Sequence, residues 1–204
     1  MAYADQPYGF IPIRHKSGAP YTGASRPYWI DNGATQDNFI GDPMILDGTA
    51  NTVAIKVPGM GEFAIGMLPG VIRASAGTGS RVTGVVVAFG ADTRDSTVYR
   101  VNSTERLVWL ADDPELVFSV QADAAYAVDD IGRNSNILFD TTGSTSTGRS
   151  GAEADATAST GATAQLMVVG FVHDAENEAN AVGNRIEVIF ALHTLGTAGG
   201  MLGI

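Results

Sequence analysis

The chain has 204 residues, a formal net charge of −10, a sequence pI near 4.5 and no cysteine. Its 12 Lys and Arg residues are scattered and form no basic run, which speaks against binding nucleic acid or an anionic membrane surface. The lack of cysteine removes disulfides, thiolate metal sites and cysteine nucleophiles, and no apolar run approaches the roughly 20 residues of a membrane-spanning helix.

A chain of this length is expected to form one ordinary domain with enough apolar surface to fold without staples. Charged residues are only 17%, and Gly, Ala, Thr, Ser and Val dominate. That balance favours β-structure with many turns over helices, whose faces prefer Glu, Lys, Leu and Arg. Residues 1–6 show neither a basic n-region nor an apolar h-region, so no signal peptide is expected.

Residues 1–27 read as an extended N-terminal arm. Pro7, Pro12, Pro20 and Pro27 fix φ, remove donors and push their predecessors towards extended geometry, which disfavours a helix or a central strand. The aromatics in and just beyond this stretch are large, low-entropy anchors. Tyr8, Phe10, Ile11, Arg14, Tyr21, Tyr28 and Trp29 are therefore the candidate contact residues, either with the body of the same chain or with a neighbour. His15 and Lys16 read as a solvated kink rather than a site.

The body is expected over 28–195. Residues 28–30 begin a strand, and Asp31-Asn32-Gly33 turns it. Residues 39–46 are strand-like, with Pro43 marking an edge or a bulge. Residues 52–57 read as a short alternating strand and 58–70 as irregular, Gly- and Met-rich chain. The β-branched run at 82–89 suggests a strand buried on both faces. Residues 98–101, 107–110 and 116–121 are further strands. Residues 122–132 are the best helix candidate, with Gly132 as its stop. Residues 141–163 are low-complexity Ser, Thr, Gly and Ala and read as an exposed, flexible loop. Strong strands follow at 164–172 and 185–193, and 196–204 forms a Gly-rich C-terminal tail. Short strands at this spacing predict a mainly β fold, an antiparallel β-sandwich or barrel with an extended N-terminal arm and at most one or two short helices.

No pattern for chemistry stands out. His15, His173 and His193 lie in distant segments, and Asp112-Asp113 and Asp129-Asp130 are adjacent pairs that point to different sides. Residues 143–148 lack the Gly-x-Ser-x-Gly arrangement and a following helix. Residues 77–84 are glycine-rich but lack the phosphate-loop lysine and precede a strand, so a hairpin turn is the better reading. No metal, cofactor or catalytic residue is expected.

Several segments occur together in a characteristic order. They are Tyr8-Gly9-Phe10-Ile11-Pro12-Ile13-Arg14-His15, Gly18-Ala19-Pro20-Tyr21-Thr22-Gly23, Phe39-Ile40-Gly41-Asp42-Pro43-Met44, and the stretches at 82–89, 98–101, 111–121 and 147–151. From Tyr8 to His193 the chain resembles a family of structural proteins of tailed bacteriophages. The resemblance implies a head decoration, or cement, protein that binds the outer surface of the capsid, resists internal pressure and assembles in the bacterial cytoplasm. It implies the major capsid protein as partner and self-association as a homotrimer, less often a dimer, with no nucleic acid or membrane partner. Another virion component (a head-fibre base, tail-tube or adaptor subunit) and a carbohydrate-binding β-sandwich are the alternatives. On this reading the arm carries the contacts, and deleting residues 2–24 abolishes capsid association while the core stays folded.

Overall fold

The computed structural model describes residues 6–57, 61–77, 79–90, 96–157, 161 and 163–196. The chain is mainly β. In order its strands are β1 (Ile11–His15), β2 (Arg26–Ile30), β3 (Pro43–Val57), β4 (Gly61–Arg73), β5 (Gly84–Phe89), β6 (Arg106–Ala111), β7 (Leu116–Gln121), β8 (Asn134–Ser135), β9 (Ile137–Leu138), β10 (Glu153–Ala154), β11 (Leu166–Phe171) and β12 (Arg185–Phe190). Strands β2-β4-β3-β5-β6 close into a barrel, β1-β7-β12-β11-β8 form a five-stranded sheet, and β9 and β10 pair separately. Between these strands all pairings are antiparallel except the parallel rung Trp29↔Gly70, which closes the barrel between β2 and β4; isolated parallel bridges join Ile40 to Arg149, Val82 to His193 and Ala122 to Ala154.

Strand periodicity explains how the two layers share one body. Successive residues on a strand face opposite sides. Val86, Val108 and Leu110 fill the barrel core with Tyr28, Ile30, Met44 and Val71. Their neighbours Val85 and Ala111 instead join a second core with Phe10, Leu116, Phe118, Val120, Ile186, Val188 and Phe190. The wall formed by β5 and β6 is thus apolar on both faces, as the run at 82–89 suggests. Phe118 and Phe10 flank Phe190, with ring centroids 4.9 and 5.6 Å away.

Several local expectations are corrected. Residues 122–132 form no α-helix, only a single 3-10 turn at Val128–Asp130. Tertiary bonds override the helix propensity of the alanines there. Ala122 bridges Ala154, the Asp123 carboxylate accepts from the Ala156 N–H at 2.6 Å, and buried Tyr126 donates to Ser135 at 2.7 Å. Residues 98–101 are a loop with one bridge, Asn38↔Arg100. Residues 61–70, expected to be irregular, lie in β4. The 141–163 segment is not simply an exposed loop: Ser150, Ala152, Glu153 and Ala154 are buried, and β10 pairs with β9. Residues 158–160, 162 and 197–204 lie outside the described residues.

Two buried charges hold the irregular chain. Arg100 is fully buried, and its guanidinium donates to five neutral acceptors: the carbonyls of Thr104 (2.8 Å), Ala34 (3.0 Å), Gln36 (2.8 Å) and Asp31 (2.8 Å), and Asn38 Oδ1 (3.3 Å). Asp42 is also buried, accepting from the Phe39 N–H at 2.9 Å and the Ser150 hydroxyl at 2.5 Å. Burial pushes its carboxyl up to about 6, against the opposing pull of these hydrogen bonds and of Arg73. Beside it Gly9 and Gly41, at φ +76° and +97°, let two backbones touch: a Cβ on Gly9 would lie 2.5 Å from the Ser150 Cβ and 2.8 Å from the Gly41 oxygen.

Replacing Arg100 with Met removes a charged donor from four carbonyls and leaves those of Gln36 and Thr104 without it, and we expect a loss of about 3–5 kcal/mol in urea unfolding. Lys at this position recovers little, because three donors on a point charge cannot reproduce the fork. The Asp42 carboxyl is raised in the folded state. Its contribution to stability is therefore fully present below the ordinary carboxylate range and lost as pH rises through about 6. The difference in urea midpoint between pH 5 and pH 7.5 is accordingly expected to shrink in Asp42→Asn.

Candidate functional site

The sequence-derived contact residues are all tied into the chain's own body. Strand β1 pairs with β7 through Ile11↔Ser119, Pro12↔Phe118, Arg14↔Val117 and His15↔Leu116. As an edge strand it tolerates Pro12. The Tyr8 hydroxyl bonds the Ser119 hydroxyl at 2.9 Å, and Phe10 is 1% exposed. Arg14 pairs with Glu187 of β12 at 2.5 Å. Residues 16–21 fold back over β1, with His15 N–H donating to Ala19 and Tyr21 N–H to Ile13, so the outer edge of the sheet is covered. Tyr21 packs against the second core and donates to the Ala24 carbonyl at 3.0 Å. Tyr28 is buried, and its hydroxyl donates to Asp112 Oδ2 at 2.6 Å, the oxygen that also meets Arg26 Nε at 2.7 Å. Trp29 sits half-buried in β2 opposite Leu107.

Of the two alternatives the sequence left open for the 1–27 arm, its described part takes the first and lies against the body of the same chain. Phe10 supplies core and residues 11–15 supply a strand, so Phe10 and Tyr28 have no surface to offer a neighbour in this conformation. The sequence signal was present in the apolar pairing of Phe10, Ile11 and Ile13. The prolines masked it, although an edge strand accommodates them.

The histidines have separate local roles. His15 Nδ1 lies 3.4 Å from Asp113 Oδ2. The Nδ1 of His193 accepts from the Leu195 N–H at 3.0 Å, and burial lowers its pKa against the opposing pull of Asp112 and Asp113. Among the described residues, no group of three His, Asp or Glu side chains is placed to hold a metal ion, and no helix is long and apolar enough to cross a membrane.

One feature is left without a partner among the described residues. Strands β3 and β4 pair with each other from Met44↔Arg73 out to Val57↔Gly61. However, β5 meets β3 only at Pro43 and Met44, and β2 meets β4 only at Gly70. Beyond that root, the backbone rungs from Ala50↔Pro69 to Val57↔Gly61 form a two-stranded ribbon. At about 3.3 Å per residue it is about 25 Å long. Among the described residues no other strand pairs with either edge of it. Between positions 48 and 69 the sequence carries only two charges, Lys56 and Glu62, which stand opposite each other in the register. Sequence reasoning missed this ribbon because Pro58, Gly59, Gly61 and Gly66 interrupt the alternation of Val53, Ile55, Val57, Phe63 and Ile65.

The fold defines the chain as a mainly β protein in which a closed barrel and an antiparallel sheet share a wall and a long hairpin continues beyond the barrel. Comparison with protein-family models, curated proteins and solved structures finds no match for this chain.

Phe10→Ala tests the place of the N-terminal segment. It empties a site against Phe190 and is expected to cost about 3–5 kcal/mol in chemical denaturation. An N-terminal segment that served only as a peripheral arm would leave the unfolding midpoint unchanged.

Proposed function

We propose that this chain is a non-enzymatic structural component of a tailed-phage particle. In this reading it decorates the outer surface of the head and stabilises the mature shell, with the major capsid protein and further copies of itself as partners. The observation that carries the proposal is the β3–β4 ribbon. A two-stranded ribbon is marginally stable by itself in water, and its open edges offer rows of backbone donors and acceptors to another chain. Strand addition at such an edge gives affinity through the main chain. The order of segments along the sequence supports the same reading.

Charge adds a second argument. Bodies carrying −10 each repel one another, so close approach favours the least charged part of the chain. The 48–69 segment, with one cation and one anion, is such a part. Many copies attached to one lattice convert modest single contacts into high avidity, because later contacts are intramolecular. A protein that engages only the matured lattice shifts the shell towards that state by differential binding. The ribbon, rather than the N-terminal segment, is the contact element in this proposal, since the N-terminal segment is used internally.

The test is quantitation of this chain against the major capsid protein in gradient-purified particles. We expect a comparable copy number, lost on mild treatment while the shell persists. In a second arm, residues 51–68 are replaced by Asn-Gly, which closes the root with a two-residue turn. This variant should fold and fail to join particles. A few to tens of copies per particle would move the protein to a vertex, neck or tail, and complete absence would overturn the virion reading.

A further inference from the structure

A cavity of about 460 Å³ opens between the 31–38 loop and the root of the ribbon. Its size falls within the range of about 300–1,000 Å³ typical of small-molecule sites. Asp31 and Gln36 contribute from the loop, Asp47 and Thr49 from β3, and Arg73 and Ser75 from the end of β4 and just beyond it. The loop wall is held in place by the Arg100 guanidinium.

Arg73 differs from the other arginines of the interior. Arg100 and Arg106 spend their donors on the chain's own carbonyls. The Arg73 guanidinium is stacked 4.6 Å from the centre of the Phe139 ring, and its buried Nε has no hydrogen-bond partner. Among the described residues it donates no hydrogen bond, although its charge acts on buried Asp42, so Arg73 brings unspent donors to the cavity wall. The two carboxylates are held in the opposite sense. Asp31 Oδ1 accepts from the Gly33 N–H at 2.8 Å, and Asp47 Oδ1 accepts from the Thr49 N–H at 2.7 Å and hydroxyl at 2.6 Å. In each, Oδ1 is fixed and Oδ2 accepts nothing from the described residues.

We propose that this cleft binds a neutral, hydroxyl-rich ligand, a saccharide. An anion on Arg73 would meet two carboxylates, and a cation on the carboxylates would meet Arg73. A neutral sugar satisfies both: its hydroxyls donate to Asp31 and Asp47 while their oxygens accept from Arg73, with Ser75, Thr49 and Gln36 completing the wall. Peptide recognition instead needs apolar pockets, and here the apolar lining is only Ala34 and Ile72. With so little apolar area and no aromatic ring in the lining, binding at one site is weak. Useful avidity would come from many copies on one surface, and that clause alone rests on the virion reading.

The experiment is a titration of the isolated full-length chain, followed by amide chemical shifts. The probes are glucose, galactose, mannose and N-acetylglucosamine, with glucuronate and a Lys-Glu dipeptide as charged comparators. Saturable shifts confined to residues 31–36, 47–49 and 72–75 are expected with at least one neutral sugar. Arg73→Met should weaken that binding about tenfold or more, the loss of hydrogen bonds from a charged donor. Asp47→Asn provides an independent variant should Arg73→Met fail to fold. The proposal is overturned if no neutral sugar shifts these residues, if neither variant weakens binding, or if glucuronate or the dipeptide binds more tightly than every neutral sugar. The assay needs no particle, so its failure leaves the copy-number test of the virion reading untouched.

Discussion

The structure depends on a buried cation that forms no direct ion pair among the described residues, although the charges of Asp37 and Asp31 act on it. Desolvating a guanidinium is expensive, and Arg100 meets that cost with neutral oxygens, four of them backbone carbonyls from two separate stretches of chain. Those carbonyls belong to 31–36 and to Thr104, segments with no ladder to satisfy them. The arginine therefore does for loops what strand pairing does for β-sheet. Arg106 repeats the device one strand away, donating to the carbonyls of Gly90, Thr97 and Tyr99 while its guanidinium lies 5.0 Å from the Phe89 ring. Both ends of the 97–104 loop are thus fixed by charge-assisted bonds rather than by apolar burial.

This division of labour follows from composition. A chain with 25 glycines and only 17% charged residues has long stretches that cannot pack a core. Apolar side chains concentrate on β5, β6, β7 and β12; alternate residues of β5 and β6 serve two cores across a shared wall, and those of β7 and β12 serve one of them. Elsewhere the backbone is organised by single buried polar side chains. Asp42 joins the 39–42 turn to Ser150, and Tyr126 joins the 122–126 stretch to Ser135 and Asp155. Each is one side chain satisfying several backbone or hydroxyl groups. Single substitutions at these positions should therefore be felt across segments distant in sequence.

The strands at 107–110, 116–121, 166–171 and 185–190 were legible because each is a continuous apolar or alternating run bounded by Asp, Pro or Gly. The mainly β class followed from them. Other features depend on distant partners. Nothing local in 122–132 reveals that Asn184 and Ala154 will hold its backbone extended. Nothing in the Ser/Thr-rich stretch marks Ser150 as the residue that will face Asp42. The N-terminal segment was read by its prolines as an arm, yet Phe10 completes a ring cluster with Phe118 and Phe190 that only the fold assembles. Arg73 and Asp47 are unremarkable in sequence. Their meaning comes from the register Met44↔Arg73, which brings the end of β4 beside the start of the ribbon.

The two surfaces proposed to work outward share that root. Asp47 and Thr49 lie on β3 where it leaves the barrel, and Arg73 closes the opposite side on β4. The loop wall carrying Asp31 is fixed to Arg100, whereas among the described residues the ribbon wall is held at its root by its own pairing, by the short rungs to β5 and β2, and by Ala74 and Thr83 N–H groups donating to the Pro43 and Met44 carbonyls. A partner that bent the ribbon at its root would move Asp47 relative to Asp31, because the two stand on separate elements. A ligand spanning both walls resists the same motion. By thermodynamic reciprocity, any effect of docking on cleft affinity equals the effect of cleft occupancy on docking.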